Sequence, residues 1–257
     1  MIDLHLHILP GVDDGSQNTE TSLAMAYMAY QSGVRKLVAT PHFYPGYYEN
    51  YVSAELEEKY NVLKEKLAQE RIAIELYRGM EILGTDHLCD DLINGRVWTI
   101  NDTKYFLVEF EFDEDPYFCS RILSQSKECG YIPVIAHPER YYFVQDDPAL
   151  VYEWYQLGYG IQVNKGSILG YFGKREQRTA ESLIRHHIVT CAASDAHGLK
   201  TRTASLSHLR DYLSEIYGNE YCHLLLYENS ARILDGRRLV GYEPITYNYK
   251  SERKVAE

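Results

Sequence analysis

Residues 132–140, Ile-Pro-Val-Ile-Ala-His-Pro-Glu-Arg, change character at one bond. Ile132–Ala136 is apolar throughout, as a parallel strand buried on both faces must be. From His137 the chain turns polar, with Glu139 and Arg140 close behind. The same succession of apolar run and then metal-type side chain recurs elsewhere. Runs at 36–40, 72–77, 105–110, 159–163 and 188–192 read as further strands. His42 follows the first of these and Glu81 the second; Glu109 lies inside the end of the third; Asp195 and His197 follow the last. His5 and His7 close the opening run.

Amphipathic patterns fill the intervals, at 20–32, 54–69, 116–128, 148–157, 175–186, 204–217 and 220–234. In the first, Leu23, Ala26 and Tyr30 recur at helical spacing, Thr19 is a candidate N-cap and Gly33 a stop. Strand and helix alternate without a linker. That predicts a single α/β domain over residues 1–240 built as a parallel barrel, with an open doubly wound sheet as the alternative. Residues 241–257, with Tyr242, Tyr247 and Tyr249, contribute few core side chains and read as an extended tail.

The net charge of -11 argues against nucleic acid as a partner, because phosphate backbones attract basic surfaces. No basic stretch followed by an apolar run opens the chain, so no signal peptide is expected. No apolar run is long enough for a membrane-spanning helix, so no direct membrane insertion is expected. Cys89, Cys119, Cys129, Cys191 and Cys222 are odd in number, scattered and without a CxxC pair. A reduced, cytoplasmic setting is the expectation.

A parallel barrel gathers the C-terminal ends of its strands on one face. Residues far apart in sequence then converge. His5-x-His7 presents two imidazoles on one side of an extended segment, since strand side chains repeat every second residue. Singly, each candidate has an ordinary role: Asp195 as an N-cap, Glu109 as an ion-pair partner, His137 as a core group. Jointly, at consecutive strand ends, they point to a metal centre. The donors are oxygen and imidazole nitrogen with no thiolate, which favours Mn, Fe or Zn as catalytic ions. Their number suits two or three ions, with Glu81 placed to bridge. Such a cluster acidifies a bound water and clamps a phosphoryl group. Arg140 supplies a planar fork for phosphate oxygens, with Arg202 as a weaker second candidate.

Other chemistries lack their residues. A cysteine-dependent phosphatase needs Arg at the sixth position after its Cys; those positions hold Gly95, Gln125, Ile135, His197 and Glu228. The HExxH, GxxxxGK[ST] and GxSxG patterns are missing.

Asp3-Leu-His5-Leu-His7-Ile-Leu-Pro-Gly-Val-Asp13-Asp14-Gly15 resembles the opening of the PHP (polymerase and histidinol phosphatase) superfamily. The Asp-Asp-Gly element narrows the resemblance to bacterial PHP-type protein-tyrosine phosphatases linked to capsule and exopolysaccharide synthesis. Ala39-Thr-Pro-His42, Gly79-Met-Glu81-Ile, Val108-Glu109-Phe, Ile135-Ala-His137-Pro-Glu-Arg140 and Ala193-Ser-Asp195-Ala-His197 match the remaining blocks in order. The resemblance implies a distorted (β/α)7 TIM-like barrel with a trinuclear, often manganese-activated site. It implies one ion on His5, His7, Glu81 and Asp195, a second on Glu81, Glu109 and His137, and a third on Asp14, His42 and His197. Asp13, next to Asp14, is an alternative ligand. Asp3 is implied to orient a ligand histidine, and Arg140 to bind phosphate or act in catalysis. The implied substrate is a bacterial tyrosine kinase with a Tyr-rich tail. Tyr44, Tyr47 and Tyr48 after His42 offer rings for stacking on phosphotyrosine.

The expected activity is therefore hydrolysis of phosphotyrosine by metal-bound hydroxide, without a covalent enzyme intermediate. The runner-up is another phosphomonoesterase on the same scaffold, such as a histidinol-phosphatase-like enzyme. A reading of another class is a non-catalytic, metal-stabilised regulator that binds a kinase.

Overall fold

The computed structural model describes residues 1–247. Its strands are β1 (Ile2–Leu6), β2 (Lys36–Ala39), β3 (His42–Phe43), β4 (Glu75–Arg78), β5 (Glu81–Leu83), β6 (Tyr105–Glu109), β7 (Ile132–Ala136), β8 (Gly160–Asn164) and β9 (Cys191–Ala193). Every strand pair is parallel, in a three-stranded sheet β1-β2-β4 and a six-stranded sheet β3-β5-β6-β7-β8-β9.

Two strand positions are broken, which is why two sheets arise. Pro41 interrupts one position between β2 and β3, since proline has no N–H to give a ladder. Gly79 interrupts the other between β4 and β5, where an added Cβ would meet Val38 Cγ1 at 2.7 Å. Backbone bonds carry the pairing through both breaks, from Gly79 N to Ala39 O (2.9 Å) and from Glu81 N to Pro41 O (3.1 Å). At the other side the ring closes past the end of β9. Asp195 N donates to His5 O and His7 N to Ala196 O, both at 2.9 Å. With each broken pair taken as one, the described residues form seven parallel strand positions in a distorted closed barrel.

The strand alternation sorts the core. Ile2, Leu4, Val38, Tyr105, Leu107, Val134, Ala136 and Cys191 form a small inner cluster, stopped at one end by Ile233 and Leu234. Phe106, Val108, Ile135, Ile161 and Val163 face outward into the larger cluster under the helices. β1 changes face part-way. Ile2 and Leu4 belong to the inner cluster but Leu6 to the outer one, and the pairing register shifts between Asp3 and Leu6. A one-residue shift flips every later side chain. It turns His5 and His7 inward just below the barrel mouth.

The helices are α1 (Thr19–Gln31), α2 (Ala54–Gln69), α3 (Leu88–Ile93), α4 (Pro116–Glu128), α5 (Tyr142–Asp146), α6 (Ala149–Gln156), α7 (Lys165–Ile168), α8 (Lys174–Arg185), α9 (Ser207–Tyr217), α10 (Asn219–His223) and α11 (Asn229–Leu234). The expected helix over 220–234 is helical throughout but contains a π-helical turn at Leu224–Glu228. The cap of α1 is Asn18, not Thr19, because Asn18 Oδ1 takes the Thr21 N–H at 2.9 Å. Its buried face is Ser22, Met25, Ala26 and Ala29, while Leu23 and Tyr30 are only partly covered. The strand expected over 72–77 begins only at Glu75, and the one over 188–192 only at Cys191.

Among the described residues no helix is long and apolar enough to cross a membrane. Residues 241–247 follow α8, with Ile245 N bonded to His186 O (3.0 Å) and the Tyr247 ring stacked on His186 at 3.7 Å. The part of the expected tail beyond Tyr247, including Tyr249, lies outside the described residues.

Candidate metal centre

The C-terminal ends of the strands bring all nine expected metal-type residues together. Four overlapping groups emerge: His7 with Asp14, His42 and His197; His5 with His7 and Glu81; His5 with His137 and Asp195; His42 with Glu81 and Glu109. Within each group the donor atoms lie within 4.8 Å of one another. Glu81 is central. Its Oε2 is 3.1 Å from His5 Nε2, 3.1 Å from His7 Nε2 and 3.2 Å from His42 Nδ1. Its Oε1 is 2.9 Å from His137 Nε2. Glu109 Oε1 sits 2.8 Å from His42 Nδ1, whereas its other oxygen is 3.8 Å from His137. Asp195 Oδ1 is 3.5 Å from His5 Nε2 and 3.5 Å from His197 Nδ1.

Adjacent donors on one ion at about 2.1 Å stand roughly 3.0–3.4 Å apart, a range that the Glu81 Oε2 contacts to His5, His7 and His42 occupy. His42 Nδ1, His197 Nε2 and Asp195 Oδ1 are buried beside charged neighbours but none makes a hydrogen bond of good geometry. Buried polar atoms normally have one. These residues fit divalent cations: an imidazole and carboxylate set with donor atoms left over.

Adjacent aspartates divide the work. Asp13 Oδ2 lies 2.8 Å from His7 Nδ1 and also accepts the His42 N–H, and Asp13 Oδ1 accepts the Gly15 N–H. Asp13 therefore orients His7. Asp14 Oδ1 faces His42 Nε2 at 3.5 Å and His197 Nε2 at 3.4 Å, so of the two aspartates it is Asp14 whose oxygen joins a grouped donor set. Gly15 permits the turn, for an added Cβ would collide with His7 Cβ and its carbonyl oxygen.

Asp3 acts on backbone. Its Oδ1 accepts backbone N–H groups of Ser194 (3.0 Å) and His5 (3.4 Å), and it touches no imidazole ring through these bonds. It fastens β1 to the segment after β9. The ring of His5 is held instead by Gln162, whose Oε1 is 2.8 Å from Nδ1. Gln162 Nε2 donates to Asn164 Oδ1 (2.9 Å), and Asn164 Nδ2 donates to Asp195 Oδ2 (2.5 Å). A carboxylate only accepts, so the direction of this chain is fixed from Asp195 backwards. Gln162 must present its oxygen to His5, which keeps the proton on Nδ1 and leaves the Nε2 lone pair for the cluster. Sequence reading missed both amides. Their signal was alternation: Gly160–Asn164 is an apolar strand with polar residues only at its inward positions.

Charge is balanced by proximity. Burial opposes ionisation of Glu81, but His5, His42 and His137 outweigh it and hold the carboxyl well below its usual range. Burial likewise opposes Asp195, which His5, His7 and Arg202 hold low. Burial alone would lower His5, yet Glu81 and Asp195 raise it. His197 goes the other way, lowered first by burial and then by His7.

The two arginines differ in grip. Arg202 Nη2 is 2.5 Å from Asp195 Oδ1, and its Nε donates to Asp195 O. Arg140 reaches Asp195 Oδ2 only at 3.8 Å and lies over the rings of Phe112 (4.3 Å) and Phe172 (5.0 Å). His137, Asp195 and Arg202 all hold left-handed backbone, at φ 36°, 50° and 46°. Non-glycine residues adopt it rarely, and such strain gathers at functional sites. A cavity of about 280 Å³ beside Arg202 is lined by Lys165, Phe172, Ser194 and Lys200 among others. Of the three tyrosines, Tyr48 stacks on His42 (5.6 Å, 12°). Tyr44 pairs with Tyr47, which is 78% exposed.

Comparison with known proteins identifies relatives along nearly the whole chain. The model of the family described as capsular polysaccharide synthesis, CpsB/CapC, matches residues 1–235. The tyrosine-protein phosphatase YwqE of Bacillus subtilis is 35% identical over 244 residues, covering 95% of each chain. The tyrosine-protein phosphatase CpsB of Streptococcus pneumoniae is 29% identical over 239 residues, 91% of this chain and 98% of that one. A solved structure from work on YwqE of Bacillus subtilis and CpsB of Streptococcus pneumoniae, described as unique metal-dependent tyrosine phosphatases, matches with a TM-score of 0.90. It is 34% identical and covers 96% of this chain and 100% of the other. A phosphotriesterase of Mycobacterium tuberculosis, at TM-score 0.55 and 12% identity, shares the fold alone. The chain belongs to the CpsB/CapC family of capsular polysaccharide synthesis.

Proposed function

We propose that this chain is a metal-dependent protein-tyrosine phosphatase acting in capsular polysaccharide synthesis, with phosphotyrosine on a tyrosine kinase tail as its cytoplasmic substrate. The observation that carries the reading is the cluster of nine oxygen and nitrogen donors around Glu81, bordered by two guanidiniums. Relatives along nearly the whole chain bear the name tyrosine-protein phosphatase, which supports it.

His5, His7, Asp14, His42, Glu81, Glu109, His137, Asp195 and His197 would hold two or three divalent ions, manganese first among them, with Glu81 shared. When bound, such ions acidify a coordinated water and polarise phosphoryl oxygens. The chain does the rest. Arg140, weakly engaged by Asp195, offers its planar fork to the phosphate oxygens. Arg202 holds Asp195 in place and adds positive charge beside the transferring group. Tyr48, stacked on His42, offers a ring face to the substrate's phenol. Phenolate leaves with a reference pKa of about 10, so no strong general acid is required.

The test is turnover of a phosphotyrosine peptide after chelation and after add-back of manganese. Activity should vanish and return. Undiminished turnover by the chelated protein refutes the reading, as does turnover restored only on small non-aryl phosphate esters.

A further inference from the structure

Two of the scattered cysteines meet. Cys129 caps α4, Cys89 lies in α3, and their Sγ atoms are 2.6 Å apart across 40 positions of sequence. A disulfide bond is about 2.05 Å long, and unbonded heavy atoms in contact stand roughly 4 Å apart. The two sulfurs therefore face each other in direct contact. Their neighbours hold them there. The Tyr131 hydroxyl, two residues past Cys129, donates to Leu92 O at 3.0 Å. Arg121 of α4 pairs with Asp86, just before α3, at 2.7 Å. Both thiols are partly open to solvent, while Cys119, Cys191 and Cys222 are buried.

We propose that Cys89 and Cys129 are a reversible disulfide site that staples α3 to α4. The oxidant is a low-molecular-weight disulfide, RSSR. One cysteine thiolate attacks it, forms a mixed disulfide and releases RSH. The second cysteine, losing its proton, attacks the mixed disulfide and releases the other RSH. In sum, two cysteine thiols are oxidised and one RSSR is reduced to two RSH. Burial, the Cys129 thiol and the carboxylates of Asp90 and Glu128 push the Cys89 thiol up to about 12. Exchange is accordingly slow at neutral pH, and the pair rests as thiols in reducing surroundings. Closure would join the unit headed by Glu81, through α3, to the α4 unit that lies between Glu109 and His137.

The test treats the full, ion-loaded chain with oxidised glutathione and maps its peptides without reduction. The expected result is a Cys89–Cys129 crosslink lighter by two hydrogens, with a Tm raised by roughly 5–10 °C and restored by dithiothreitol. Cys89→Ser and Cys129→Ser should each lose both signals. Glutathione adducts that never close, a crosslink to another cysteine, or a crosslink without a Tm shift would overturn the proposal.

Discussion

Glu81 touches four imidazoles with two oxygens, so no other side chain can replace it at equal charge and reach. Glu81→Gln should lower turnover on the order of a thousandfold while leaving far-UV circular dichroism unchanged. Gln162 and Asn164 make a sharper case, since neither touches an ion position. Gln162→Leu removes the acceptor that fixes the His5 tautomer, and should weaken manganese binding roughly 10–100-fold in a chelator competition. Unaltered affinity would show that His5 is oriented by something else. Eight of the nine donor residues were legible because each sits at or just after an apolar run, whereas Asp14 was legible only through the family resemblance. The choice between Asp13 and Asp14 was not, because adjacent carboxylates differ only in how the turn at Gly15 aims them. Asp3 was partly legible for a related reason: sequence position shows closeness to His5 but not whether its backbone or its ring donates the bond.

At the scale of elements, long patterns were readable and short ones were not. α2 and α4 fall where periodicity puts them, and the structure adds their caps, Ser53 and Asp115, which accept from the Leu56 and Phe118 N–H groups. β3 and β5 hold two and three residues, too few to show a period. Pro41 and Gly79, which sever them from β2 and β4, are visible in sequence only as punctuation. The register shift in β1 was equally hidden, because it depends on pairing with β2. The turn at 13–15 is the element most open to test. Gly15→Ala forces a Cβ onto the His7 backbone and should cost about 1–3 kcal/mol in denaturant unfolding, with weaker metal binding in step. A variant of full stability and affinity would mean the turn can yield without moving His7.

For the whole molecule, ions and protons compete for one cluster. In the chelated protein His5, His7 and His42 are raised despite burial, by Glu81, Asp195, Asp13 and Glu109. A raised imidazole stabilises the fold fully below the unfolded value of about 6.5 and ceases to as pH climbs through the folded value. His197, lowered by burial, offsets part of this. The Tm of the chelated protein should therefore fall as pH rises above about 6.5. Manganese affinity should rise over the same span, since imidazoles must shed protons to coordinate. Parallel trends would contradict the assignment. The seam of the barrel adds a last consequence. Its first strand supplies His5, the segment after its final strand supplies Asp195, and these two stretches of backbone are bonded to each other. A ribosome-bound chain that has not yet released residue 195 has neither a closed wall nor a full set of donors. Competence can be acquired only once this late stretch has emerged, so a shorter nascent fragment has no means of stripping phosphate early.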